Sequence, residues 1–129
     1  MIVDTSALVA VILKESDYRR FLEKMVDAQS IRLSAVNYME ASMVLLTRRG
    51  DEAIEELNQL LVETNIQVVP VDLDQSRLAI AAFRQYGKGR HPAGLNFGDC
   101  FSYALAKDAG QPLLFKGTDF SRTDIEAAI

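Results

Sequence analysis

A chain of 129 residues, 49% hydrophobic and 25% charged, suits one folded domain spanning residues 1–129 and excludes a disordered polymer. One cysteine excludes an internal disulfide and fits a reducing compartment. A net charge of −4 and a pI near 4.9 argue against a general nucleic-acid-coating protein, while leaving room for a basic partner or a local basic patch.

The opening "MIV" reads as a short apolar strand running into Asp4. The apolar run from Ala7 to Leu13 is too short to span a membrane, and no basic segment precedes it. The expected location is therefore cytoplasmic. "SALVAVILK" predicts a first buried helix, and "SDYRRFLEKMVDA" a second one capped by Ser16. "IRLS" predicts a second strand. From Val36 to Arg49 the apolar residues Val36, Met39, Met43 and Leu46 recur at helical spacing, and Gly50 is expected to stop that helix in a left-handed conformation.

"DEAIEELNQLLVETN" predicts a fourth helix with Ile54, Leu57, Leu60 and Leu61 on one side. "IQVVPV" follows as a third strand, and Pro70 places it at an edge or a strand end. "DLDQSRLAIAAFRQYG" reads as a fifth helix ending at Gly87, then the basic, glycine-rich loop "KGRHPAG". Asn96 to Ala109 is expected to be helical, "PLLFK" a fourth strand, and the tail from Ser121 to Ile129 a closing helix. Short apolar strands alternating with helices imply an α/β domain whose parallel sheet is covered on both faces. Ligands of such sheets gather outside the carboxyl ends of the strands, where Asp4 stands.

Four acids are notable for their placement. Asp4 ends the first strand, Glu40 is expected in the first turn of a helix, Asp99 lies in the first turn of another, and Asp119 follows the last strand. Each has a plain structural reading. Asn96 and Asp99 have the spacing of a capping box, and an acid there suits the helix dipole. Asp4, with Thr5 and Ser6, can cap the next helix, and Asp119 can be a turn residue after Gly117. Glu40, near an apolar face, is harder to explain without a partner.

Together they suggest more. Two carboxylates about 4 Å apart repel by roughly 4 kcal/mol at an effective dielectric near 20, so a cluster of four needs a cation. Oxygen-only ligands favour Mg²⁺ or Mn²⁺ over zinc. Arg84, Lys88, Arg90 and His91 surround the glycine-rich loop, and Lys116 lies near Asp119. These are candidate phosphate contacts, or else only a solvated helix end and loop. Cys100 would need a base to act as a nucleophile, and His91 is the only histidine. A small buried hydrophobe is the simpler role for it.

In order along the chain, "MIVDTSALVA", the Glu in "YMEAS", "LNFGDCFSYALAK" and "PLLFKGTDF" resemble the PIN domain. More narrowly, they resemble the VapC toxins of bacterial toxin–antitoxin pairs. The resemblance implies a three-layer α/β/α fold with a short central parallel sheet. It also implies a Mg²⁺- or Mn²⁺-dependent endoribonuclease that hydrolyses phosphodiesters with a metal-activated water. Asp4, Glu40, Asp99 and Asp119 fall on the family's acidic positions. Asp4 and Asp99 would be the principal metal ligands, with Glu40 and Asp119 ligating directly or through water. Thr5, Ser6 and Asn96 match its supporting polar positions. A cognate antitoxin, a homodimer and a larger assembly of toxin with antitoxin are implied as well.

Two rivals differ in class. A partner-binding module would keep the fold and lose the activity. A receiver-type phosphoacceptor domain would need paired acids after its first strand, and Asp4 has no acidic neighbour. The "DTS" segment likewise lacks the second Asp of a haloacid-dehalogenase-like phosphatase.

Overall fold

A computed structural model describes residues 1–129. Strand β1 (Ile2–Val3) is short because Asp4 turns the chain. The Asp4 backbone is extended and its Oδ2 accepts from the Ser6 amide at 2.9 Å, so Asp4 caps helix α1 (Thr5–Ile12). Then follow α2 (Tyr18–Asp27), β2 (Ile31–Ser34), α3 (Ala35–Arg49), α4 (Asp51–Glu63), β3 (Ile66–Val69), α5 (Leu73–Tyr86), α6 (Phe97–Ala109) and β4 (Leu113–Leu114). The strands form one parallel sheet in the order β3-β2-β1-β4. Pro70 thus directly follows an edge strand, as its missing N–H requires.

Alternation along the strands separates two cores. Val3, Ile31, Leu33 and Leu114 pack with α1, α2, α3 and α4 on one face. Ile2 and Leu113 point the other way, into α5 and α6 through Ala79, Ala82, Tyr103 and Ala104. The result is the expected α/β/α sandwich. No helix is long and apolar enough to cross a membrane.

Five local expectations are corrected. Ser16 does not cap α2. The residue before that helix is Asp17, held at φ 68° with no side-chain cap bond, because the chain reverses tightly after α1. The apolar period of α3 is right but its phase is wrong: Met39, Met43 and Leu46 face outward, and Asn37, Ala41 and Leu45 face the core. Glu40, the sixth residue of α3, therefore lies in its second turn rather than its first. The tail forms no closing helix. It makes a 3-10 turn at Asp119–Arg122 and then runs beside β4, where the Leu113 amide donates to Glu126 O and the Ala128 amide donates to Leu113 O, both at 2.9 Å. The open edge of β4 offers unpaired backbone groups, and the tail satisfies them.

Gly50 does stop α3, though not in the left-handed helical region. Its φ of 82° and ψ of −165° belong to a region open essentially to glycine alone, and a side chain there would meet no neighbouring atom. Gly50→Ala isolates that backbone strain from any steric clash. Chemical denaturation should show a loss of about 1–3 kcal/mol with an unchanged m-value.

Candidate active site

At the carboxyl ends of β1 and β4, the first turn of α6 meets α1 and α3. A cleft of about 410 Å³ opens there, lined by Asp4, Thr5, Ser6, Glu15, Glu40, Asn96, Asp99, Lys116 and Asp119, with Val9, Val44 and Phe120 between them. All four sequence-selected acids therefore share one cleft.

Two of the acids are tightly held. Asp4 is 3% exposed; its Oδ2 accepts from the Ser6 hydroxyl at 2.6 Å as well as from the Ser6 amide. Its Oδ1 accepts from the Ser102 hydroxyl. Ser6 Oγ also accepts from the Lys116 amide at 2.9 Å, which ties the start of α1 to the loop after β4. Asp99 is 8% exposed and completes the capping box. Its amide donates to Asn96 Oδ1 at 2.9 Å, and its Oδ2 accepts from the Asn96 amide at 3.0 Å. The capping and cleft-lining roles of Asp99 therefore coexist.

The other two acids are free within the chain. Neither Glu40 nor Asp119 is among the side chains that form hydrogen bonds or ion pairs. Glu40 lies against α6 at Gly98: a Cβ on that glycine would stand 2.1 Å from Glu40 Oε2. Gly98 is what lets this carboxylate approach the helix.

Burial pushes the Asp99 carboxyl up to about 7. The Asn96 amide opposes this, while the charges of Asp4, Asp119 and Glu40 add to the rise. The arrangement thus resists full ionisation. No three acidic, histidine or cysteine side chains converge into a ready coordination shell. The donors are nevertheless all oxygen and anionic, which fits a magnesium-like ion that keeps several waters and uses one or two carboxylates.

The basic candidates separate in space. Lys116 is the only cation lining the cleft, and its Nζ donates to Glu15 at 3.1 Å. Arg84, Lys88 and Arg90 are exposed at the end of α5 and in the following turn, outside the cleft lining. Arg90 lies over the Phe83 ring at 6.0 Å. His91 Nδ1 accepts from the Ala93 amide at 3.0 Å, and its ring meets Tyr86 edge-on. Cys100 is buried, with its thiol pushed up to about 11 by burial and then by Asp99, so it is a packed hydrophobe.

Sequence reading missed Ser102 and Asn37. Ser102 is three residues after Asp99 on α6, and Asn37 is three before Glu40 on α3. That one-turn spacing from an acid was the available signal.

A family model described as the PIN domain matches residues 1–126. This chain belongs to the PIN-domain family. Ribonuclease VapC30 of Mycobacterium tuberculosis is 53% identical to it over 126 residues, covering 97% of this chain and 95% of that protein. Ribonuclease VapC of Mycolicibacterium smegmatis is 49% identical, covering 98% of each. Among solved structures, VapC20 of M. tuberculosis, described as a toxin cleaving the sarcin–ricin loop, has a TM-score of 0.76 at 21% identity, covering 96% of this chain and 95% of that one. A toxin–antitoxin complex from Klebsiella pneumoniae has a TM-score of 0.70 at 18% identity, covering 95% and 92%. These matches bear out the PIN-like sandwich and the likeness to VapC proteins, and they leave no ground for a receiver domain.

The PIN cleft should leave a mark on stability. Folded Asp99 holds its proton up to about pH 7, whereas an ordinary Asp loses it near 3.8. The folded state binds the extra proton between these values, so stability falls as pH rises through that window and stays lower above it. In metal-free buffer, Asp99→Asn should flatten the decline and raise Tm above about pH 7. Thermal unfolding across pH checks this, and an unchanged profile would count against a protonated Asp99.

Proposed function

We propose that this PIN domain is a metal-dependent endoribonuclease acting as the toxin of a toxin–antitoxin pair. The observation that carries the reading is the gathering of Asp4, Glu40, Asp99 and Asp119 around one cleft, where burial, and after it the charges of the other three, pushes Asp99 up to about 7. The fold alone does not require that many acids there. The names of the curated relatives support RNA as the substrate class, and the Klebsiella complex supports an antitoxin as the partner.

A bound Mg²⁺ or Mn²⁺ would supply an activated water and neutralise charge on the scissile phosphate. Asp4 and Asp99 would be its principal ligands, with Glu40 and Asp119 contributing directly or through water. The chain's own residues prepare that geometry. Ser6 and Ser102 hold Asp4 in one orientation, and Asn96 fixes Asp99 at the head of α6. Thr5 donates to the Asn37 carbonyl at 3.1 Å and so anchors α1 on α3. Lys116 provides the one cationic side chain at the cleft wall.

Partners belong to the same reading. An acidic cleft suits a basic antitoxin side chain laid over the carboxylates. The exposed Met39, Met43, Leu46 and Phe97 give apolar surface that a homodimer or a toxin–antitoxin assembly would bury.

Asp4→Asn and Asp99→Asn should each lower RNA cleavage by at least about a hundredfold at saturating Mg²⁺, with cleavage followed on gels and growth arrest lost on expression. Wild-type rates in both variants would sink the assignment. Arg84, Lys88 and Arg90, exposed outside the cleft lining, are proposed as backbone contacts for an RNA that enters it. Neutralising all three should weaken binding and make its salt dependence shallower, and an unchanged slope in a salt titration would remove them from the RNA path.

A further inference from the structure

Asn37 is fully buried at the start of α3, yet its amide faces polar groups on two other elements. Its Nδ2 donates to the Gly98 carbonyl at 3.0 Å and approaches Thr5 Oγ1 at 3.5 Å. Its backbone carbonyl accepts from the Thr5 hydroxyl at 3.1 Å. Thr5 directly follows Asp4, Gly98 directly precedes Asp99, and Glu40 lies one turn further along Asn37's own helix. A single side chain therefore joins the three segments that carry three of the cleft acids.

Its other half argues against a purely structural role. Asn37 Oδ1 is buried and has no hydrogen-bond partner. An unsatisfied buried acceptor destabilises a fold, and an apolar residue of similar volume would avoid that loss. The amide is kept despite an oxygen that does nothing for stability. What it contributes is the Nδ2 bond, which sets α6 against α3 where Glu40 touches Gly98.

We propose that Asn37 is a positioning residue, which holds the α1, α3 and α6 segments so that Asp4, Glu40 and Asp99 present their carboxylates in the register a divalent cation needs. The inference rests on the nuclease reading above. Loss of a residue that orients metal ligands commonly costs ten- to a hundredfold in metal affinity or activity.

Asn37→Leu provides the test, because it keeps the branched outline of the side chain, removes the donor and relieves the orphan oxygen. Its thermal unfolding should remain cooperative, which establishes that the variant is folded. Mn²⁺ affinity of the RNA-free protein, measured by calorimetry or electron paramagnetic resonance, should fall at least about tenfold, and kcat should fall while KM for RNA holds. Wild-type Mn²⁺ affinity and kcat in a folded Asn37→Leu would overturn the proposal. Should that variant not fold, the smaller Asn37→Ala removes the same donor without overpacking. A fall in its Mn²⁺ affinity supports the proposal, and no change overturns it. Wild-type protein that binds no Mn²⁺, together with an Asp99→Asn variant that still cleaves, would instead refute the nuclease reading and this inference with it.

Discussion

Mutual repulsion among carboxylates is the constraint around which this end of the molecule is organised. Five acids line one cleft against a single lysine, and that lysine is engaged by Glu15. The chain offsets part of the repulsion with helix N-termini. Asp4 caps α1, Asp99 lies in the first turn of α6, and Glu40 lies against α6 at Gly98. Each carboxylate is thereby near unpaired amide donors and the positive end of a helix dipole. Burial raises the proton affinity of Asp99 first, and the charges of Asp4, Asp119 and Glu40 add to that rise.

Sheet topology explains why sequence-distant acids meet. With β1 between β2 and β4 and all strands parallel, every strand ends on the same side. Asp4 follows β1, the helix bearing Glu40 follows β2 without a linker, and Asp119 lies five residues beyond β4. The α6 N-terminus brings Asp99 to the same edge. Short bonds across these segments fix their spacing: Ser102 to Asp4, Lys116 amide to Ser6, Asn37 to Gly98. The site is thus built by cross-links between neighbouring chain ends rather than by one rigid element.

Much of this was legible in the residues because it is local. Strand–helix alternation, the Pro70 edge and the Asn96–Asp99 box depend on near neighbours, and each was read in the right place. The α3 stripe failed because period is local whereas phase is set by tertiary packing. Met39, Met43 and Leu46 are the larger apolar residues, but the inner face has room for Ala41 beside α1 and a polar contact at Asn37. The tail failed for the same reason: only the assembled sheet reveals that β4 has an edge to cover. Asn37 and Ser102 were missed because their partners lie 61 and 98 residues away.

The double role of Asp4 and Asp99 shows how to separate fold from function here. An N-cap contributes about 1 kcal/mol, and Ser or Asn at Asp4 would supply as much without adding charge. Glutamine or serine could likewise serve much of the Asp99 position. Two carboxylates about 4 Å apart would repel by roughly 4 kcal/mol at an effective dielectric near 20, several times as much. Capping therefore accounts for a polar side chain at each position and leaves the charge unexplained. Glu40 and Asp119 sharpen the point, since they cap nothing and hold no partner within the chain. A fold selected for stability alone would neutralise these positions first. Capping geometry thus orients two of the four acids that share one cleft, and it leaves their acidity to the proposed cation site.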